Sequence, residues 1–156
     1  MRSNENKPRI GIFGRRNLGK SSLINCLAGQ QISIVSPEGG TTTDPVQKTM
    51  EILGVGPIIW VDTAGIDDEG ELGQMRVARS FEILPQCNLV LILFSANQFS
   101  DLERSIADRC KSSHTPFLLV YSQSDISLPE PSLFETIEKE FQQRPIAFSI
   151  HDDTAP

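Results

Sequence analysis

The sequence predicts a three-layer α/β domain built on a mainly parallel, six-stranded sheet. Three observations predict it. Apolar strand-like runs alternate with helix-like stretches along the 156 residues, the pattern of strand–helix–strand units. A glycine-rich bend, Gly14-Arg15-Arg16-Asn17-Leu18-Gly19-Lys20-Ser21, joins the first strand to the first helix. A hairpin-length turn, Gly54-Val55-Gly56-Pro57, folds one strand back on its neighbour and makes that pair antiparallel.

Each element has its own warrant. Arg9–Phe13 is a short apolar run read as a buried strand. Residues 20–28 form an amphipathic helix that stops at Gly29. Residues 46–53 partly alternate apolar and polar, as in an edge strand with one wet face. Residues 58–61, Leu89–Phe94, Phe117–Tyr121 and 146–149 are the remaining strands. Residues 71–84, 101–111 and 132–142 carry the remaining helices. Residues 1–8 read as a polar lead, and 1–156 as one domain without internal repeat. His151–Pro156 cannot form a covering helix. The expectation is a chain that ends after about residue 150, before its closing C-terminal helix. An apolar strip would then lie bare on one sheet face, with further domains downstream.

Composition narrows the class. Hydrophobic residues make up 38% and charged residues 22%, which fits a globular chain. No apolar run approaches the ~20 residues of a membrane span, and Met1–Pro8 lacks the apolar segment of a signal peptide. The net charge of −6 argues against this domain wrapping a nucleic acid. Cys26, Cys87 and Cys110 form no C-x-x-C pair, so they suggest free thiols in a reducing cytoplasm and no metal site of their own.

The glycine-rich bend fits G-x-x-x-x-G-K-S/T, the phosphate-cradling loop of nucleoside-triphosphate-binding proteins. Its glycines let successive N–H groups turn inward. The helix after it offers unpaired N–H groups and a positive dipole end. Gly14, Asn17, Leu18, Gly19, Lys20, Ser21 and Ser22 are the expected phosphate-binding set. Lys20 would reach the β- and γ-phosphates, and the Ser21 hydroxyl would ligate Mg²⁺. Asp62-Thr63-Ala64-Gly65 follows a predicted strand. There Asp62 would hold Mg²⁺ through water, and Gly65 N–H would meet the γ-phosphate. Gly39–Pro45 is a polar loop in which Thr42 is the expected third Mg²⁺ ligand.

Together these segments resemble the TrmE–Era–EngA group of GTPases. Thr41-Thr42-Thr43-Asp44-Pro45 and Asp67-Asp68-Glu69-Gly70-Glu71-Leu72-Gly73 narrow the resemblance to the GTPase domain of the HydF family, maturation scaffolds of the FeFe-hydrogenase. The resemblance is strong over roughly residues 9–80 and weaker beyond. It implies the P-loop GTPase fold, with GTP as substrate and GDP as product. It also implies downstream dimerisation and iron–sulfur domains as partners, with a homodimer possible. Relatives in the group usually carry Arg where Thr43 stands.

Two departures follow from the resemblance. Guanine recognition in such GTPases uses Asn-Lys-x-Asp; here the segment is Ser122-Gln123-Ser124-Asp125. Asp125 keeps the carboxylate for the guanine N–H and amine. Ser122 lacks the Asn amide, and Gln123 keeps an aliphatic stem without the charge. Ser149 stands where relatives place a further base contact, while Ile150 and His151 do not match. Ras-like enzymes orient the attacking water with a Gln after the D-x-x-G glycine, and here that position is Ile66. In relatives with this replacement the loop Asn helps hold K⁺, the role implied for Asn17; its alternative role is to tie the loop to a neighbour. Glu71 is either an acid placed at a helix N-terminus or a water-orienting residue. Arg15 and Arg16 are expected to point outward, either solvated, as lone loop arginines usually are, or toward a partner. The expected catalytic set is Lys20, Thr42, Gly65 and Glu71, giving slow, K⁺-stimulated hydrolysis. The rival readings are a non-hydrolysing regulatory module with an eroded guanine site, and a ribosome- or tRNA-directed GTPase.

Overall fold

A computed structural model describes residues 7–15, 18, 20, 23, 45–52, 54–63, 65 and 69–149. Six strands form one sheet: β1 (Arg9–Phe13), β2 (Val46–Ile52), β3 (Gly56–Asp62), β4 (Leu89–Phe94), β5 (Phe117–Tyr121) and β6 (Ile146–Ala147), in spatial order β2-β3-β1-β4-β5-β6. Three helices among the described residues are α1 (Gly70–Ile83), α2 (Asp101–Ser112) and α3 (Pro131–Phe141). Of the helix expected over 20–28, Lys20 and Leu23 are described, and both are helical. The rest of it, and everything after residue 149, lies outside the described residues.

The sheet matches the expected class. β1 pairs in parallel with β3 and β4, and β5 with β4 and β6. Only β2 against β3 is antiparallel. The turn between that pair places Gly54 at φ +87° and Gly56 at φ +104°, conformations that a Cβ resists.

Period-two alternation sends neighbouring residues to opposite faces. On one face Phe13, Val61, Val90, Ile92, Phe94, Leu119 and Tyr121 pack against Ile106, Ala107 and Cys110 of α2 and Phe134 and Ile137 of α3. An aromatic cluster fills this layer, with the Phe94 and Phe99 rings 5.1 Å apart and those of Tyr121 and Phe134 5.5 Å apart. On the other face Ile12, Met50, Ile58, Trp60, Leu91, Leu93 and Val120 pack with Leu18 and Leu23. Val120 is in register with Ile146, so Ile146 and Leu118 share that face, and they are 52% and 38% exposed.

Several boundaries differ from the sequence reading. β3 starts at Gly56, because the ladder to β2 continues through Glu51↔Pro57 and Ile52↔Gly56. A 3₁₀ turn, Leu84–Gln86, follows α1 and carries Pro85, which its first turn tolerates. β6 stops at Ala147 and α3 at Phe141, where Gln142 takes a left-handed φ of 58°.

Candidate functional site

Parallel strands end on the same side of a sheet, and that edge is where α/β folds bind ligands. β1 lies between β3 and β4, so its end faces the crevice where the strand order reverses. Phe13 ends β1 and leads straight into Gly14. Asp62 ends β3 and sits in register with Ile12. Tyr121 ends β5 and leads into Ser122. Three of the segments predicted to bind nucleotide, those after β1, β3 and β5, therefore leave the sheet along one edge.

The phosphate-loop residues that are described have specific surroundings. A Cβ on Gly14 would stand 2.9 Å from the Leu93 carbonyl oxygen and 3.0 Å from a Leu18 methyl, so glycine lets the loop lie against β4. Leu18 is buried in the second core layer. Lys20 Nζ donates to the carbonyl oxygens of Arg15 at 3.0 Å and Gly14 at 3.4 Å. The amine thus folds over the mouth of its own loop. Asn17, Gly19, Ser21, Ser22 and Thr42 lie outside the described residues, as do Arg16 and Ile66.

Asp62 is half-buried and Gly65 buried at the end of β3. Thr63, to which the sequence reading gave no role, is 4% exposed and donates its hydroxyl to the Ile12 carbonyl. This bond ties the segment after β3 to the end of β1. The expected Mg²⁺ ligands, the Ser21 and Thr42 hydroxyls and the Asp62 carboxylate, are all hard oxygen donors, which suits that ion. Glu71 is exposed on the first turn of α1.

The loop after β5 is anchored at both ends. Ser122 N–H donates to Phe94 O at 2.8 Å, and Ser122 Oγ donates to Leu18 O at 3.0 Å. Ser124 N–H meets Phe148 O at 3.2 Å, and Phe148 N–H meets Tyr121 O at 2.7 Å. Gln123 stands at φ +59°, and its carbonyl accepts from Ile126 and Ser127 in a tight turn. Asp125 is exposed, and Ser149 is buried at 2% exposure.

One expectation is overturned. Arg15 is not a solvated loop arginine. Its Nε donates to Glu103 Oε2 at 3.0 Å, and its Nη2 to Glu103 Oε1 at 3.3 Å and Ser100 Oγ at 2.7 Å. Glu103 is fully buried and also caps α2 by accepting from Ser100 N–H at 2.9 Å. A buried carboxylate demands a cation, and the phosphate loop supplies it. Ser100 and Glu103 form the Ser-x-x-Glu capping box of α2, and Arg15 joins it from the phosphate loop.

A parallel sheet with a glycine–lysine loop at the end of its central strand defines a P-loop nucleotide-binding domain. The 50S ribosome-binding GTPase family model matches residues 9–123, and the chain belongs to that family. It is a GTP-binding GTPase domain. It is 35% identical over 140 residues to GTPase Der of Wolinella succinogenes, covering 87% of this chain and 29% of that protein. It is 39% identical over 119 residues to tRNA modification GTPase MnmE of Bordetella petrii, covering 75% of this chain and 26% of that protein. The chain thus spans less than a third of these curated relatives. Among solved structures, Aquifex aeolicus Era bound to GDP·AlF4⁻ superposes with a TM-score of 0.70 at 27% identity, covering 91% of this chain and 50% of that one. The G domain of T. maritima FeoB shares the fold at 16% identity and a TM-score of 0.64. No helix of the described residues is long and apolar enough to cross a membrane.

Proposed function

We propose that this domain is the nucleotide switch of a longer scaffold protein, turning GTP over slowly to GDP and phosphate. The observation that carries the reading is Lys20 Nζ resting on the Arg15 and Gly14 carbonyls at the mouth of the loop. An amine held there is exchanged onto a phosphate without moving the backbone. In this reading Lys20 and the loop N–H groups of Gly14, Asn17, Leu18, Gly19, Ser21 and Ser22 hold the phosphates, and Gly65 N–H meets the γ-phosphate. Ser21, Thr42 and Asp62 would hold Mg²⁺, which would neutralise charge developing on the phosphate oxygens. Asp125 would select guanine, with Gln123 and Ser149 beside the base. Asn17 would hold K⁺. Glu71 is exposed on α1, a placement that favours an acid at a helix N-terminus over a water-orienting role.

The Thr41–Pro45 and 67–73 stretches support a HydF-type scaffold acting on downstream dimerisation and iron–sulfur domains. The family match and the Der and MnmE relatives favour a second reading, a ribosome- or tRNA-directed GTPase. One similar structure is Era in complex with MgGDPNP and nucleotides 1506–1542 of 16S ribosomal RNA. The net charge of −6 weighs against RNA contact by this domain itself.

The test is calorimetric titration of GTP, GDP and ATP into the wild type and Lys20→Ala. Triphosphate binding should vanish in a folded Lys20→Ala protein, while the wild type prefers GTP. Unchanged GTP affinity in the folded variant overturns the site. GTP turnover raised by added ribosomes would select the second reading.

A further inference from the structure

We infer that Arg15 is a positioning residue of the phosphate loop, clamping it to the N-terminus of α2 so that Lys20 is held ready for phosphate. The inference rests on the reading of Gly14–Ser21 as the phosphate loop. It goes beyond that reading because Arg15 touches neither nucleotide nor metal in it.

Arg15 makes two kinds of contact at once. Its carbonyl accepts from Lys20 Nζ at 3.0 Å, so its backbone sets where the amine rests. Its guanidinium reaches 85 positions along the chain to Ser100 Oγ, at 2.7 Å, and 88 positions to both carboxylate oxygens of Glu103. A planar guanidinium bonded to two carboxylate oxygens fixes direction as well as distance. The Arg15 side chain is 16% exposed and that of Glu103 0%, so water competes weakly for the pair. The loop's second residue is therefore pinned at its side chain, and the amine at its backbone.

The clamp also serves α2. Arg15 neutralises Glu103, whose Oε1 accepts from both the guanidinium and the Ser100 N–H, so one carboxylate serves the pair and the cap of α2. The guanidinium is thus committed to structure and supplies no positive charge to a transferring phosphoryl group. Ser100 and Glu103 transmit the position of α2 to the loop, although neither stands near the nucleotide segments in sequence.

A positioning role and a purely structural one separate in the following experiment. Arg15→Ala, Arg15→Lys, Glu103→Gln and the paired apolar replacement Arg15→Met with Glu103→Leu are compared with the wild type and Lys20→Ala. Stability is followed in urea through Trp60, the single tryptophan, and GTP and GDP affinities by calorimetry. Breaking a buried pair is destabilising, whereas replacing both members by apolar groups restores stability. Arg15→Ala and Glu103→Gln should weaken both nucleotides at least ~10-fold, and Arg15→Lys should recover part of the loss. The paired variant should recover much of its urea midpoint, short of what the lost cap of α2 costs, while its nucleotide affinity stays at least ~10-fold down. If affinity returns with stability in the paired variant, the clamp is structural only and the inference fails. Full GTP affinity in folded Arg15→Ala also overturns it. Full affinity in Lys20→Ala would instead overturn the phosphate-loop reading, and the inference with it.

Discussion

Ser122 Oγ donates to the carbonyl oxygen of Leu18 at 3.0 Å, joining the loop after β5 to the phosphate loop across 104 positions. Both residues are buried, at 2% and 7% exposure. Measured against the asparagine of relatives, Ser122 reads from sequence as a lost amide. In the fold its hydroxyl is a tether between two nucleotide-facing loops.

Ser122→Ala removes the donor and leaves the Leu18 carbonyl without it, at a cost of about 1–3 kcal/mol. The urea midpoint should fall, and GTP and ATP affinities should weaken together, because a tether does not discriminate bases. Calorimetry with both nucleotides checks this. A loss confined to GTP would mean that Ser122 contacts guanine.

Gly14→Ala places a Cβ 2.9 Å from the Leu93 carbonyl oxygen. That neighbour is backbone in the sheet and cannot rotate away, so the phosphate loop must shift off β4. Overpacking of this kind costs about 1–3 kcal/mol. The variant should remain folded by circular dichroism, melt earlier and bind GTP at least ~10-fold more weakly. Wild-type affinity in Gly14→Ala would show that the loop does not need its packing on Leu93.

The strands were legible because parallel strands buried on both faces are continuous apolar runs, as in Leu89–Phe94. Gly56 and Pro57 read as turn residues, yet the antiparallel ladder to β2 extends through both. The glycine–lysine loop was legible from spacing and flanks. Arg15 was not, because nothing local shows that the loop meets the cap of α2 85 positions on. Thr63 was missed for the same reason: its hydroxyl serves Ile12, 51 positions earlier.

The buried thiols give a pH dependence. Burial pushes Cys87 from 9.0 up to about 11, against a smaller opposing effect of Arg9. Burial, with Cys87 nearby, pushes Cys110 up to about 12. As pH rises past 9, the unfolded chain releases these protons while the folded chain keeps them. Their contribution is therefore complete below pH 9 and is lost between pH 9 and about 11–12. Urea unfolding of the wild type should weaken more steeply from pH 8 to pH 10 than that of the Cys87→Ala, Cys110→Ala double variant. Parallel curves would show that the thiols do not carry the effect. At pH 8 the native thiols should resist a disulfide reagent and react on unfolding.

Potassium is the remaining prediction. Ile66 offers no polar atom to position the attacking water, and Arg15 is committed to Glu103 rather than to phosphate. Transfer builds charge on the phosphoryl oxygens, where a positioned cation is worth most. Asn17 matches the residue that helps hold K⁺ in relatives, and the Thr41–Asp44 loop would complete the shell in the triphosphate state. GTP turnover should rise at least ~10-fold, about 1.4 kcal/mol of barrier, when K⁺ replaces Na⁺ at equal ionic strength. Asn17→Ala should remove that gain while keeping most of the GTP affinity. Lys20→Ala should be inert in both salts, and rates of the wild type at saturating GTP separate a cation effect on chemistry from one on binding. Equal, measurable rates in K⁺ and Na⁺ would refute the cation mechanism and place the missing charge with a partner.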